Sequence, residues 1–220
     1  DDHLKIADAK RGDIGNTSRM YATTFFETLS ADAITVAPYM GEDSVKPFLN
    51  FEDKWVILLA LTSNQGSTDF QFTPQEEQQP LYAKVMQRAQ QWASPDELMF
   101  VCGATHPEKF RELRQLAPDS FFLVPGIGAQ GGDLESCVRE GNTNGLALIN
   151  VSRGILYASN KDAESIHNAA KEYNDRILNY FYELKGFNVQ KLDINLLMSL
   201  ADRSFENNIS RTVHNHNPRC

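Results

Sequence analysis

The chain has 220 residues, a formal net charge of −8 and 41% hydrophobic residues. Its length allows one sizeable buried core, and its acidity argues against a nucleic-acid or membrane-surface protein, which needs a basic patch. No apolar run approaches the roughly 18 to 20 residues that span a bilayer, and no secretory signal is visible. We therefore expect a cytoplasmic protein in which the cysteines form neither a disulfide framework nor a zinc site: Cys102, Cys137 and Cys220.

Apolar runs alternate with amphipathic segments along the chain. Six runs are continuous enough to be strands of a parallel sheet buried on both faces: 4–9, 33–38, 55–61, 97–103, 120–125 and 145–151. Strands that alternate with helices predict a parallel sheet with helical crossovers. The sheet is either doubly wound or closed as a (β/α)8 TIM barrel.

Two helices are predicted from apolar stripes at helical spacing. The stripes comprise Tyr21, Phe25 and Leu29 in the first, and Leu81, Val85, Ala89 and Trp92 in the second. The residues 73–76 have the spacing of a capping box, which predicts a helix start. Pro80 then forces a kink or a restart of that helix.

Alternating charges follow the first predicted strand. Asp8 and Lys10 are two residues apart, so on a strand they point the same way, while Asp13 lies beyond them in the turn that enters the next helix. A solvated charged loop would explain such a pattern taken alone. A carboxylate beside an ammonium with a third acid nearby is also typical of a catalytic array.

The charged stretch resembles a family signature. D-A-K-R-G-D-I-G-N-T (8 to 17) is similar to the catalytic motif of orotidine 5'-phosphate decarboxylase, in particular its longer bacterial branch and the related apicomplexan enzymes. Five further segments resemble that family in the same order: T-V-A-P-Y-M-G (35 to 41), T-S-N-Q-G-S (62 to 67), V-C-G-A-T-H-P (101 to 107), V-P-G-I-G-A-Q-G-G-D (124 to 133) and N-V-S-R-G-I (150 to 155). The resemblance runs from Ile6 to about Tyr182 and implies a TIM barrel.

The number of strands differs from that expectation. About six βα units are visible, whereas a closed barrel has eight and usually roughly 250 residues. The family resemblance implies two βα units before Asp1, which would supply a ribose-binding aspartate and a further lysine of the charged array. We expect residues 1–185 to form the incomplete barrel and 186–220 an extension, with a helix over 192–205 and a disordered tail from Ser210.

The glycine-rich segment 126–131 has two interpretations. It satisfies G-x-G-x-x-G after a strand, which is one part of a dinucleotide fingerprint. That fingerprint also requires an acidic residue about 20 positions later, where this chain has Arg153. In a barrel, the loops after the last two strands commonly bind phosphate, and an arginine there can hold a phosphate monoester with two hydrogen bonds. The second interpretation fits this sequence better.

The resemblance also implies a reaction and its charged residues. Lys10 would stabilise the C6 carbanion left by loss of CO2 from orotidine 5'-phosphate, and would then protonate that carbon to give UMP. Asp8 would lie close to the departing carboxylate. Asp13 and Thr17 would reach into the site of a neighbouring subunit, so the resemblance implies a homodimer. It implies no metal and no other cofactor.

The substrate-binding residues follow from the same resemblance. Ser63 would contact the pyrimidine and Pro125 would line the base pocket, while Gln130, Ser152 and Arg153 would hold the phosphate. Two alternatives stay open. The chain could be a superfamily member that decarboxylates or cleaves sugar phosphates with Mg2+, or a barrel fragment that binds a nucleotide phosphate without turnover.

Overall fold

The structure, a computed structural model, describes residues 3–74, 78–143 and 146–184. Its centre is a six-stranded sheet in which every strand pairs in parallel with the next strand along the chain. The strands are β1 (Ile6–Arg11), β2 (Ala33–Val36), β3 (Trp55–Leu61), β4 (Leu98–Cys102), β5 (Phe122–Pro125) and β6 (Ala147–Asn150). A doubly wound sheet would reverse its strand order part-way. The unbroken order forms a curled half-barrel, which confirms the barrel prediction and the count of six.

Helices connect successive strands and are of very unequal length. They are α1 (Gly15–Thr23), α2 (Glu42–Val45), α3 (Leu81–Ala89), α4 (Phe110–Leu116), α5 (Leu134–Gly141), α6 (Arg153–Leu156) and α7 (Ala163–Leu184). The predicted extension over 186–220 lies outside the described residues. None of the helices in the described ranges is long and apolar enough to cross a membrane.

Hydrophobic packing occurs on both faces of the sheet. One large cluster joins the strands to the helices, and a smaller one, built around Ile57, Met99 and Leu123, contains strand residues of the opposite face. Every residue of β2 and β4 is buried, whereas β1 and β6 alternate between half-buried and exposed residues. This difference follows from position, because β1 and β6 are the two edges of the described sheet.

The first predicted helical stripe is wrong at its end. A π-helical turn, Thr24–Thr28, follows α1 directly. Such a turn adds a residue to the helical repeat, so it breaks the spacing that the stripe assumed. Phe26 is therefore buried, whereas Leu29 is 60% exposed.

The second stripe is displaced by about one position. The buried residues of α3 are Tyr82, Ala83, Met86 and Ala89. Trp92 lies beyond the end of the helix. No helix begins at Thr73, whose predicted capping partners fall partly outside the described residues, and α3 begins directly after Pro80. Pro80 therefore precedes the first residue of α3 and does not kink or restart a helix that is already under way.

A buried guanidinium joins the ends of several elements. Arg114 of α4 is 3% exposed. It donates hydrogen bonds to the carbonyl oxygens of Ala117 (2.9 Å), Ser120 (2.7 Å) and Gly141 (2.7 Å), and its Cζ lies 3.7 Å from the ring centre of Phe122. Burial lowers the pKa of Arg114 to about 10. These contacts stabilise the end of α4 before β5 and the end of α5 before β6.

Candidate active site

The charged pair lies at the carboxyl end of β1. The Nζ atom of Lys10 is 2.5 Å from Oδ1 of Asp8, as the two-residue spacing predicts. Both side chains are more than half exposed, at 54% and 57%. An exposed ion pair contributes little to stability, so this contact needs a second group to fix its geometry.

Thr35 of β2 is that second group. Its side chain is fully buried, and its hydroxyl donates a hydrogen bond to Oδ1 of Asp8 over 3.0 Å. The Oγ1 atom of Thr35 also accepts a hydrogen bond from the backbone N–H of Lys10 over 2.9 Å. One buried hydroxyl therefore connects the carboxylate to the backbone of the lysine.

The backbone of Lys10 has an unusual conformation. Its φ angle is +47°, and the pairing register between β1 and β2 shifts between Ala7 and Arg11. A positive φ at a residue other than glycine is unfavourable by about 1 to 3 kcal/mol, so contacts around the residue have to stabilise it. The bond to Thr35 holds Lys10 in this conformation.

Asp13 and Thr17 lie outside this cluster. Asp13 precedes α1 and accepts a hydrogen bond from the N–H of Ile14 over 2.8 Å, and Thr17 is exposed on the first turn of α1. Large apolar side chains are exposed on the same part of the molecule: Ile14, Met20, Tyr39 and Met40. Met40 packs close to Gly12, which places the loop after β2 beside the charged motif.

A polar cleft opens between the loops that follow β3, β4 and β5. Its volume is about 480 Å3, and its lining residues are Ser63, Asn64, Gln65, Ser67, Thr68, Thr105, His106 and Gln130. Each of these residues carries a hydroxyl, amide or imidazole group. They can donate and accept hydrogen bonds, as recognition of a heterocyclic base requires. The structure thus brings the predicted Ser63 and Gln130 into one cavity.

Two glycines allow these loops to approach. A Cβ atom at Gly103 would lie 2.5 Å from the backbone nitrogen of Ser63. A Cβ atom at Gly126, where φ is +104°, would lie 2.8 Å from Cβ of Ser63 and 2.9 Å from Oε1 of Gln130. Any side chain at either position would push Ser63 out of the cleft wall.

The predicted phosphate-binding residues lie on two neighbouring loops. Gln130 lies in a tight turn that the N–H of Gly131 closes by donating to the carbonyl of Gly128 over 2.8 Å. Arg153 is the first residue of α6, directly after Ser152, and forms no ion pair with any described carboxylate. β5 and β6 are paired parallel strands, with Pro125 opposite Asn150. Both loops therefore leave the sheet at the carboxyl ends of their strands.

The family is decided by comparison with known proteins. A family model described as "Orotidine 5'-phosphate decarboxylase / HUMPS family" matches residues 1–167. This chain belongs to that family. Orotidine 5'-phosphate decarboxylase of Bacteroides fragilis is 54% identical over 180 residues, which are 80% of this chain and 65% of the relative. The decarboxylase of Phocaeicola vulgatus is 58% identical over 159 residues, which are 71% and 58% of the two chains.

Solved orotidine 5'-phosphate decarboxylase structures agree with this assignment. The Leishmania donovani OMP decarboxylase is 40% identical with a TM-score of 0.72, and the match covers 80% of this chain and 68% of that one. A putative orotidine-monophosphate decarboxylase from Toxoplasma gondii is 36% identical with a TM-score of 0.73, covering 81% and 68%. The chain spans only 58% to 65% of the length of the two curated decarboxylases described above.

Three residues beside the candidate site have no role in the sequence-based predictions. Thr35 is a single hydroxyl in an apolar strand, and that isolation is the signal that could have singled it out. His106 lines the cleft, where its Nε2 lies 3.3 Å from Oγ of Ser67. Tyr173 of α7 packs against both predicted phosphate loops. Within the described ranges, no three His, Cys, Asp or Glu side chains are grouped as metal ligands.

Proposed function

We propose that this chain carries the active-site half of an orotidine 5'-phosphate decarboxylase, which converts its substrate to UMP and CO2. One observation carries the proposal: Thr35 fixes the Asp8–Lys10 pair at the carboxyl end of the sheet, where the polar cleft also opens. The curated relatives bear the decarboxylase name, which favours this reaction over the magnesium-dependent chemistry of other superfamily members.

The chemistry makes a single demand on the protein. The bond between C6 and the carboxylate breaks and leaves its electron pair on C6, where no conventional electron sink exists. The ammonium of Lys10 stabilises that charge, then donates a proton to C6 and regains one from solvent. Asp8 orients the ammonium of the lysine through their 2.5 Å contact.

Substrate binding is assigned to the other loops. Ser63 and Pro125 contact the base, and Gln130 and Arg153, with the backbone at Ser152, hold the phosphate. The phosphate is remote from C6, so its binding energy serves to orient the substrate and exclude water at the reacting end.

We further propose a cytoplasmic homodimer with shared sites, in which Asp13 and Thr17 contribute to the partner's active site. Thr17 is exposed and Asp13 half-buried, and the exposed apolar side chains of Ile14 and Met20 lie close to them in sequence. Exposed apolar side chains in this position support the arrangement, because they are typical of association surfaces.

The direct test is Lys10→Ala in the gene product that carries this chain. We expect the rate of decarboxylation, measured as CO2 release, to fall to background in this variant. UMP should still bind, because the phosphate and base contacts are intact. Lys46→Ala is a matched control, since Lys46 also pairs with a nearby acid, Glu42, over 2.5 Å, but at the end of α2 and not on β1. Turnover by Lys10→Ala at the rate of the control would refute the assignment, and an inactive parent that binds UMP would favour a non-catalytic phosphate-binding protein.

A further inference from the structure

Tyr173, on the fourth turn from the end of α7, contacts both phosphate loops at glycines. A Cβ atom at Gly128 would lie 2.9 Å from its hydroxyl oxygen, and one at Gly154 would lie 2.8 Å from the same oxygen. The hydroxyl therefore occupies the space that side chains at these two positions would otherwise fill. No other role for Tyr173 follows from the proposed function.

Each of these glycines is close in sequence to a predicted phosphate ligand. The carbonyl of Gly128 closes the turn that contains Gln130, and Gly154 directly follows Arg153 at the start of α6. Tyr173 thus touches the backbone of both loops within two residues of the groups that would bind phosphate. Its ring is half-buried, with the guanidinium of Arg176 5.7 Å from the ring centre on the same helix.

A short turn and a four-residue helix have little stability of their own. Their separation has to be fixed by a third element if Gln130 and Arg153 are to bind one phosphate together. Arg153 is exposed and unpaired with the described carboxylates, so it does not fix its own position. A rigid aromatic ring on the 22-residue α7 provides such a support.

We propose that Tyr173 is a positioning residue that sets the distance between the Gln130 turn and Arg153, and thereby the affinity for a phosphate monoester. This inference rests on the proposed function, because it assumes that these two loops bind the phosphate. Tyr173 acts through Gln130 and Arg153 and needs no contact with the ligand.

A double-mutant cycle on the chain tests the inference, with UMP as the probe and calorimetry as the measurement. We expect Tyr173→Ala to weaken UMP binding about tenfold in the parent chain, but less than about twofold in the Arg153→Ala background, where one arm is already absent. The Gln130→Ala background gives the same comparison for the other arm. Tyr173→Phe removes only the oxygen that lies against the glycines, so we expect it to weaken UMP binding less than Tyr173→Ala does in the parent chain. If Tyr173→Ala does not fold, the same double-mutant cycle is measured with Tyr173→Phe.

Tyr180→Ala is the matched control. Tyr180 is a half-buried aromatic residue of the same helix, but its ring lies beside Arg139 of α5, 5.4 Å from that guanidinium. We expect it to leave UMP binding unchanged. Equal losses from Tyr173→Ala in the parent and in Arg153→Ala would overturn the positioning role. A parent chain whose UMP affinity does not respond to Arg153→Ala would instead contradict the proposed phosphate site.

Discussion

Thr35→Val replaces the hydroxyl that joins Asp8 to Lys10 with a methyl group of similar size. Two hydrogen bonds disappear, of 2.9 Å and 3.0 Å. The bond from the Lys10 N–H contributes about 0.5 to 1.5 kcal/mol to stability, and the bond to Asp8 contributes less than a buried charged bond because the carboxylate is more than half exposed. We expect the free energy of unfolding to fall by about 1 to 2 kcal/mol.

The effect on catalysis should be larger than the effect on stability. Without Thr35, neither the positive φ of Lys10 nor the direction of the Asp8 carboxylate is fixed. Misplacement of a catalytic group by about 1 Å can reduce the rate by about a hundredfold. We therefore expect kcat/KM for orotidine 5'-phosphate to fall by about ten- to a hundredfold in Thr35→Val.

Thr35→Ser separates the two effects. It keeps the hydroxyl but removes a buried methyl group, which reduces stability by about 1 kcal/mol. The two variants should therefore unfold at similar denaturant concentrations, while only Thr35→Val loses most of its kcat/KM. If Thr35→Ser were as inactive as Thr35→Val, the loss would come from destabilisation, and full activity in Thr35→Val would show that the hydroxyl does not position the pair.

Three further outcomes are expected. If sites are shared, mixing inactive Lys10→Ala and Asp13→Ala proteins should restore up to about a quarter of the parental activity, since half of the dimers are hybrids with one intact site; no recovery despite proven subunit exchange would place Asp13 in its own subunit's site. Arg114→Met should lower the free energy of unfolding by about 3 to 6 kcal/mol, because buried carbonyls lose their donor. Arg111→Ala, on the exposed side of α4, should unfold like the parent in denaturant titrations, and equal midpoints for both variants would show that Arg114 does not stabilise the ends of α4 and α5. Burial raises the pKa of Cys137 to about 12, so the stabilising contribution of the neutral thiol is complete below the ordinary thiol pKa and is lost as the pH rises towards 12. The free energy of unfolding, measured between pH 8 and 11, should therefore fall less steeply in Cys137→Ala than in the parent, and parallel curves would show that this thiol does not cause the loss of stability.

The local features of the site could be predicted from the sequence, because they depend on spacing alone. The two-residue spacing on a strand predicts that Asp8 and Lys10 point the same way. The parallel sheet followed from continuous apolar runs, which are typical of strands buried on both faces.

Features that depend on tertiary packing could not be predicted. The bond from Thr35 to Lys10 requires the register of β1 against β2, including its irregularity at Lys10. The exposure of Leu29 depends on a π-helical turn for which the apolar spacing has no signal. Tyr173 reaches Gly128 only because α7 folds back over a loop 45 residues earlier in the chain.

The two edges of the described sheet differ in their tendency to self-associate. An edge strand offers unpaired backbone groups to other chains, and charged side chains on that strand oppose such pairing. β1, at one edge of the described sheet, carries the charged residues Asp8, Lys10 and Arg11. β6 reads Ala147-Leu148-Ile149-Asn150, without a charge and with Leu148 42% exposed. Copies of this chain that associate edge to edge at high concentration should therefore do so through β6, and a lysine in place of Leu148 would be the first substitution to improve its solution behaviour.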